Sequence, residues 1–368
     1  MRRLHFSPKK ANGMTKYGPR GLYDKNSFSN LGLSLKMKEA LAVVANHSLS
    51  HNTWSTYRTV QNLLGKCQME MRVVFPFPME TSHVLKFVSW LLARRLKGST
   101  VSAYLSGLRQ IHLVKGFDEP VLRPALVKNI IGGKCHMDTI CDRLSKRAKR
   151  MPVTVNILKL LKSTLNESKM NYGDKRLLWA VSVIAFSGAF RIHELLARKQ
   201  GSFDPSFTLL QRDIKLVKVK IGQSEQEILT VKLKSPKEDR IGRDVIVDVY
   251  TTGGLLCPVR AYKKWLETCP PLEAKKPAFR QTDGVPLTGR KMNKVLKELL
   301  SKHLDYRKAK ISTHSFRSGI ASMMGSLGYS DEDIQAVGRW SSQAFESYLK
   351  MPRTKRAKMA REIAKRLS

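Results

Sequence analysis

The residues of this chain that could act together chemically are mostly cations. His314 and Arg317 stand three apart in THSFRSGIASMMGSLGYSDEDIQAVGRWSSQAFESYLK, residues 313–350. That spacing puts both on one face of a helix. Trp340 and Tyr348 follow in the same stretch, and Arg191 and Glu194 stand three apart in SGAFRIHELL, residues 187–196. Each has an ordinary reading: Arg191–Glu194 as a weak surface pair, Trp340 as packing, Tyr348 as core. Together they are the parts needed to attack a phosphodiester without a metal. Arginine forks bind nonbridging oxygens bidentately and offset charge as the pentacoordinate state forms. Histidine and indole N–H groups add donors. A tyrosine becomes a phosphate nucleophile once a neighbour takes its proton. The leaving 5′-oxygen needs a general acid, which a lysine on a mobile turn could supply.

The elements that must position these groups are legible as patterns. From Leu35 to about Ser145 the periodicity is helical, with Trp54, Tyr57, Val60 and Leu64 on one face after an N-cap at Asn52 or Thr53. Gly98 is read as a break and Ser99 as the cap of a helix faced by Val101, Tyr104, Leu105, Leu108 and Ile111. The basic run and proline of SKRAKRMPVTV, residues 145–155, mark a linker. Beyond it come helices over 156–165 and 175–189. Three β-rich runs follow (FTLLQRDIKLVKVK, QEILTVKLKS and DVIVDVY), then helices over 258–268 and 289–304. Ser330 should cap a short helix with Asp331, Glu332 and Asp333 in its first turn, ending at Gly338. Ser341 or Ser342 should cap the helix carrying Phe345, Tyr348 and Leu349. The expected class is mainly α with a small antiparallel β-sheet. The divisions are a basic arm over 1–35, a helical domain over 36–150, an α+β domain over 151–352 and a basic helix over 353–368.

Composition narrows the partner. The chain has 368 residues, 67 Lys+Arg against 29 Asp+Glu and a formal net charge of +38. Such a charge opposes compaction, and a polyanion such as nucleic acid would relieve it. No apolar run approaches a membrane span, no Walker-type phosphate loop is present, and no paired carboxylates suggest a two-metal nuclease. MRRLHFSPKK lacks the apolar region of a secretory signal. Five cysteines form no regular framework, which fits reduced thiols. Cys135 and His136 with Cys141 lack the second pair that a zinc finger requires.

The motif set resembles the tyrosine recombinase (phage integrase) superfamily. Its pattern is Arg-x-x-Glu-Leu, a hairpin lysine, His-x-x-Arg, a His or Trp after a glycine, and the tyrosine. Here these read Arg191 to Leu195, Lys237, His314 to Arg317, Gly338-Arg-Trp340 and Tyr348. The eight-residue gap from Trp340 to Tyr348 and the stretches FSGAFRIHELL and GRWSSQAFESYL resemble the eukaryotic crypton and DIRS-type mobile-element branch. NTWSTY and STVSAYLSGLR resemble the family's helical core-binding domain.

The resemblance implies an N-terminal core-binding domain and a C-terminal catalytic domain that together clamp a DNA duplex. Arg191, His314, Arg317 and Trp340 would hold the phosphate, with Glu194 in support. Lys237, with Lys234 as the alternative, would be the general acid and Tyr348 the nucleophile. Thr53, Tyr57, Lys97, Ser99 and Arg109 would touch DNA. It further implies no cofactor and no metal, double-stranded DNA as partner, a dimer on one site and a tetramer in synapsis, no membrane, and a nuclear setting. The apolar stripe Met359, Ile363 and Leu367 would dock on a neighbouring protomer. A DNA-binding relative that no longer cuts, and a type IB topoisomerase-like nicking enzyme, share much of this pattern. DNA binding should weaken steeply with ionic strength, because each neutralised phosphate releases counterions. A flat salt dependence in a binding titration would contradict the charge reading.

Overall fold

The computed structural model describes residues 22–49, 51–117, 125–144, 151–201, 203–221, 223–234, 245–307 and 309–340. The chain divides into two compact units between Arg147 and Ala148.

Among the described residues of the first unit, five α-helices follow one another: α1 (Leu35–His47), α2 (His51–Met71), α3 (Thr81–Ala93), α4 (Gly98–Val114) and α5 (Ala125–Leu144). Val60 and Leu64 of α2, Val84, Phe87, Val88 and Leu91 of α3, and Val101, Leu105, Leu108 and Ile111 of α4 close one apolar core. These are the faces that the helical period predicts. Three local expectations change. Helix α2 begins at His51, ahead of the expected cap at Asn52 or Thr53. Gly98 opens α4 rather than breaking the chain, and Ser99 lies within that helix. The reason is remote: the Gly98 amide donates to Asp138 Oδ2 of α5 at 2.7 Å. A side chain at Gly98 would collide with Cys135.

Within the arm expected over 1–35, residues 22–35 are folded. Lys25–Leu31 form a 3-10 turn capped by Asp24. Tyr23 stacks on Phe28, meets Trp54 edge-on and accepts at its hydroxyl from Gln110 Nε2 at 3.0 Å. Residues 1–21 lie outside the described residues.

The second unit is built around α7 (Tyr172–Ser187). Leu177, Trp179, Val181, Val183, Ala185 and Phe186 are all buried, so the helix has no solvent stripe over that length. Against it pack α6 (Val155–Glu167), α9 (Pro258–Leu266), and α11 (His314–Leu327). Helix α10 (Gly289–Leu300) covers α6. Gly319 lets α11 approach closely, since a Cβ there would strike the Val153 carbonyl and Phe186. Val153 N–H donates to Ser315 O at 2.9 Å across the same seam.

The three strands form an antiparallel meander in the order β1 (Ile214–Ile221), β2 (Ser224–Leu233), β3 (Val245–Tyr250). Leu229, Val231 and Leu233 point inward while Thr230 and Lys232 point away, as strand alternation requires. The architecture is therefore mainly helical with one small antiparallel sheet. No described helix is long and apolar enough to cross a membrane.

His112 is the polar centre of the first core. Its Nδ1 contacts Leu108 O at 2.9 Å, so it carries the proton, and Nε2 accepts from Met79 N–H at 3.0 Å. Burial lowers its pKa, because the neutral ring is the one that fits. A depressed folded-state pKa leaves stability intact above the unfolded value of about 6.5. That stability is lost as pH falls below it toward the folded value. Thermal unfolding of the first unit should therefore show a melting point that drops with pH below that value. His112→Leu strands the Met79 amide, costs about 1–3 kcal/mol at neutral pH, and flattens the pH dependence. An unchanged slope in that variant would contradict this assignment.

Candidate active site

Two helix ends in the second unit are built on one local pattern. Helix α7 runs into Gly188-Ala189-Phe190, and α12 (Asp331–Gly338) runs into Arg339-Trp340. Ala189 has φ 49° and Arg339 has φ 52°, both left-handed. At the first end, Ala189 N–H bonds Phe186 O at 3.1 Å and Phe190 N–H bonds Ala185 O at 3.0 Å. At the second, Arg339 N–H bonds Ala336 O and Trp340 N–H bonds Gln335 O, each at 3.1 Å. Both are Schellman closures, in which the left-handed residue is most often glycine. Here glycine comes one residue earlier. A side chain at Gly188 would run into the Phe190 ring, and one at Gly338 into the Trp340 ring. Each glycine makes room for the aromatic two residues on, and a residue with a side chain takes the strained position.

Arg317 sits where these two ends meet. It is fully buried, one turn after His314 on α11. Its Nη1 donates to Ala189 O at 2.6 Å and its Nη2 to Arg339 O at 3.4 Å, and the guanidinium centre lies 4.3 Å over the Trp340 ring. A buried cation needs such partners, and carbonyls at helix C-termini carry the negative end of the dipole. The cation–π contact adds to this.

Arg191 leaves the α7 end as the N-cap of the one-turn helix α8 (Ile192–Leu195). Glu194 accepts from the Arg191 amide at 2.9 Å and from its Nη1 at 3.1 Å. The ordinary i,i+3 pair is thus present, but it is not an open surface pair: Glu194 is 10% exposed and Arg191 24%. Glu194 also takes Arg339 Nη2 at 3.3 Å. Arg339 extends further, to Gly188 O at 3.0 Å and Ala189 O at 3.3 Å. The motif Gly338-Arg-Trp340 gives Arg339 no role in the sequence. Its signal was the basic residue next to a helix-ending glycine.

Of the predicted residues, Arg191 pairs directly with Glu194 and Arg317 with Trp340, Arg339 links the two pairs, and half-buried His314 shares the face of Arg317. Lys237 and Tyr348 lie outside the described residues, as do the caps Ser341 and Ser342, the helix over 353–368 and its Met359, Ile363 and Leu367. Lys234 is committed elsewhere: its Nζ bonds Asp213 Oδ2 at 2.9 Å and Pro205 O at 2.8 Å and is largely buried.

The predicted DNA contacts lie in the first unit. Tyr57 packs edge-on to Trp54 and against Gly107, Lys97 is ion-paired with Asp142 at 2.6 Å, and Ser99 is exposed on the first turn of α4. Thr53 on α2 and Arg109 on α4 are half-buried. Among the described residues no group of three His, Cys, Asp or Glu side chains converges as a metal site would.

This fold, mainly helical with a three-stranded antiparallel sheet, matches that of tyrosine recombinases of known structure. Among solved structures, the Tn1549 transposon integrase in complex with transposon right end DNA superposes with a TM-score of 0.55 at 13% identity, over 88% of this chain and 97% of that one. The XerH site-specific recombinase bound to a palindromic difH substrate gives 0.55 at 12% identity, over 95% and 92%. No protein-family profile and no curated protein sequence matches the chain.

Glu194→Ala removes the carboxylate that Arg191 and Arg339 share. Hydrogen bonds to charged groups are worth about 1.5–3 kcal/mol, so chemical denaturation should show a loss of about that size in the second unit. Glu194→Gln, which keeps one acceptor, should lose less. Equal stability of wild type and Glu194→Ala would mean that the shared pairs contribute nothing.

Proposed function

We propose that this chain breaks and rejoins DNA strands through a covalent tyrosyl intermediate, as a site-specific recombinase or integrase. The observation that carries the reading is the meeting of Arg191, Glu194, Arg317 and Trp340 from three separate segments at two helix ends. The solved structures of similar fold are themselves complexes with transposon or recombination-site DNA, which supports the same partner here. The net charge of +38 favours it as well.

In this reading Arg191, at the rim, and Arg317, on the floor, offset charge on the nonbridging oxygens while His314 and Trp340 donate to them. The Tyr348 phenolic oxygen attacks phosphorus and gives up its proton. A Tyr–O–P bond forms at the 3′ side, the P–O5′ bond breaks, and the 5′-oxygen leaves with a proton from Lys237. Lys234 fits that role less well, since Asp213 and the Pro205 carbonyl hold it. The 5′-hydroxyl of a partner strand then attacks the phosphotyrosyl link, restoring the tyrosine. One ester replaces another at each step, so no external energy source enters the balance.

Thr53, Tyr57, Lys97, Ser99 and Arg109 belong to the DNA-facing side of the first unit in this reading, with Lys97 exchanging Asp142 for a phosphate. Two rounds of strand exchange call for four protomers on two sites. The eight-residue spacing from Trp340 to Tyr348 favours a eukaryotic mobile-element enzyme acting in the nucleus.

A duplex nicked next to the cleavage point, taken from the ends of the chain's own element, traps the intermediate because the short strand diffuses away. Wild type should become covalently attached to it. Tyr348→Phe should form no adduct while binding the duplex as well as wild type does. Tight binding by wild type without any adduct would leave a DNA-binding protein that does not cut, and relaxation of supercoils without exchange would favour a nicking enzyme.

A further inference from the structure

We infer that Arg339 is a positioning residue for the phosphate-binding cluster, aligning Arg191 through Glu194 and Arg317 through its own carbonyl; this rests on the recombinase reading. Three observations carry it. First, Arg339 adopts a left-handed conformation, φ 52° and ψ 49°, at a helix end where glycine is the residue most often found. A side chain there is held against its backbone preference, which points to a use for the side chain. Second, that side chain is only 18% exposed and does not reach solvent as a surface arginine would. Its guanidinium spans Gly188 O at 3.0 Å, Ala189 O at 3.3 Å and Glu194 Oε2 at 3.3 Å, and lies 5.1 Å over the Phe190 ring. Third, the links run both ways. Glu194 holds Arg191 with its other oxygen, and Arg317 donates to the Arg339 carbonyl and to Ala189 O.

One residue therefore ties the end of α12 to the end of α7, with Arg317 between them and Trp340 next in the chain. If Arg339 lets go, Glu194 loses one of its two arginines, and the carbonyl facing Arg317 is no longer fixed. Misplacement by about 1 Å at a site that must bind phosphate in one geometry can cost about a hundredfold in rate.

The test compares Arg339→Gly, which suits the left-handed backbone, with Arg339→Lys, which keeps the charge, in the full chain on the nicked duplex. Circular dichroism checks that both are folded. The glycine variant should bind DNA within a few-fold of wild type, yet form the adduct about a hundredfold more slowly at saturating DNA. The lysine variant should recover part of the rate. A glycine variant that cleaves at the wild-type rate overturns the inference. So does one whose rate and DNA affinity fall in parallel.

If wild type forms no adduct, the recombinase reading fails, and a second readout still judges Arg339. Titration with orthovanadate, followed by the side-chain Nε–H signals of Arg191 and Arg317, should shift both in wild type and neither in Arg339→Gly. Equal responses, or none in wild type, overturn the positioning role.

Discussion

The second unit turns on how it keeps one cation buried. Arg317 is closed to solvent, and a guanidinium in that position cannot shed its charge. It is tolerated because two backbone carbonyls, of Ala189 and Arg339, face it across the gap between α7 and α12. Both carbonyls belong to residues in the left-handed conformation. Without those two turns, the helix ends would present their last carbonyls elsewhere and the cation would lose both of these acceptors, at a cost of several kcal/mol. The strain at two residues and the burial of a charge are therefore one arrangement, and each is intelligible only with the other.

The rest of the site follows from the same junction. The chain leaves the α7 end as Phe190-Arg191, so the turn that aims Ala189 O also launches Arg191 into α8. Glu194 then closes that short helix as its N3 residue and holds two arginines with one carboxylate. Trp340 is placed by the α12 closure and lies on the Arg317 guanidinium plane. A site of this kind is preorganised by backbone geometry, and the framework behind it is α7, buried on all sides from Leu177 to Phe186. A mainly cationic cluster assembled before any anion arrives has little reorganisation left to do when charge develops in a reaction.

Much of this could be read from the sequence, and the boundary is physical. Helical and strand periods fix which residues face inward, so α4, α7 and the second and third strands emerge near their limits, whereas the first β-rich run begins at Phe207 and its strand only at Ile214, after a 3-10 turn at Gln211–Asp213. Chemistry-bearing types at helical spacing identify His314 with Arg317 and Arg191 with Glu194. What periodicity cannot reveal is a contact between distant segments. Gly98 looks like a breaker until Asp138 is seen to cap its amide and Cys135 to crowd it. Gly188 and Gly338 look like the left-handed residues of their helix ends, yet they serve the rings of Phe190 and Trp340 and pass the strain to their neighbours. Nor could the letters show that Lys234, the alternative hairpin lysine, is held by Asp213. Tyr23, in a stretch that reads as a basic arm, is fastened not only by nearby Phe28 but by Trp54 and Gln110, far along the chain.

On the reading proposed above, the cluster at the two helix ends is a phosphate site. That reading is tested most directly by a crystal structure of the chain held on duplex DNA with Tyr348→Phe, so that the scissile phosphate remains intact. That phosphate should lie within hydrogen-bonding distance of the Arg191 and Arg317 guanidinium groups, with His314 and the Trp340 indole as the further donors. A scissile phosphate seated away from Arg191 and Arg317, for instance among Arg212, Lys215 and Lys232 beside the sheet, would contradict it.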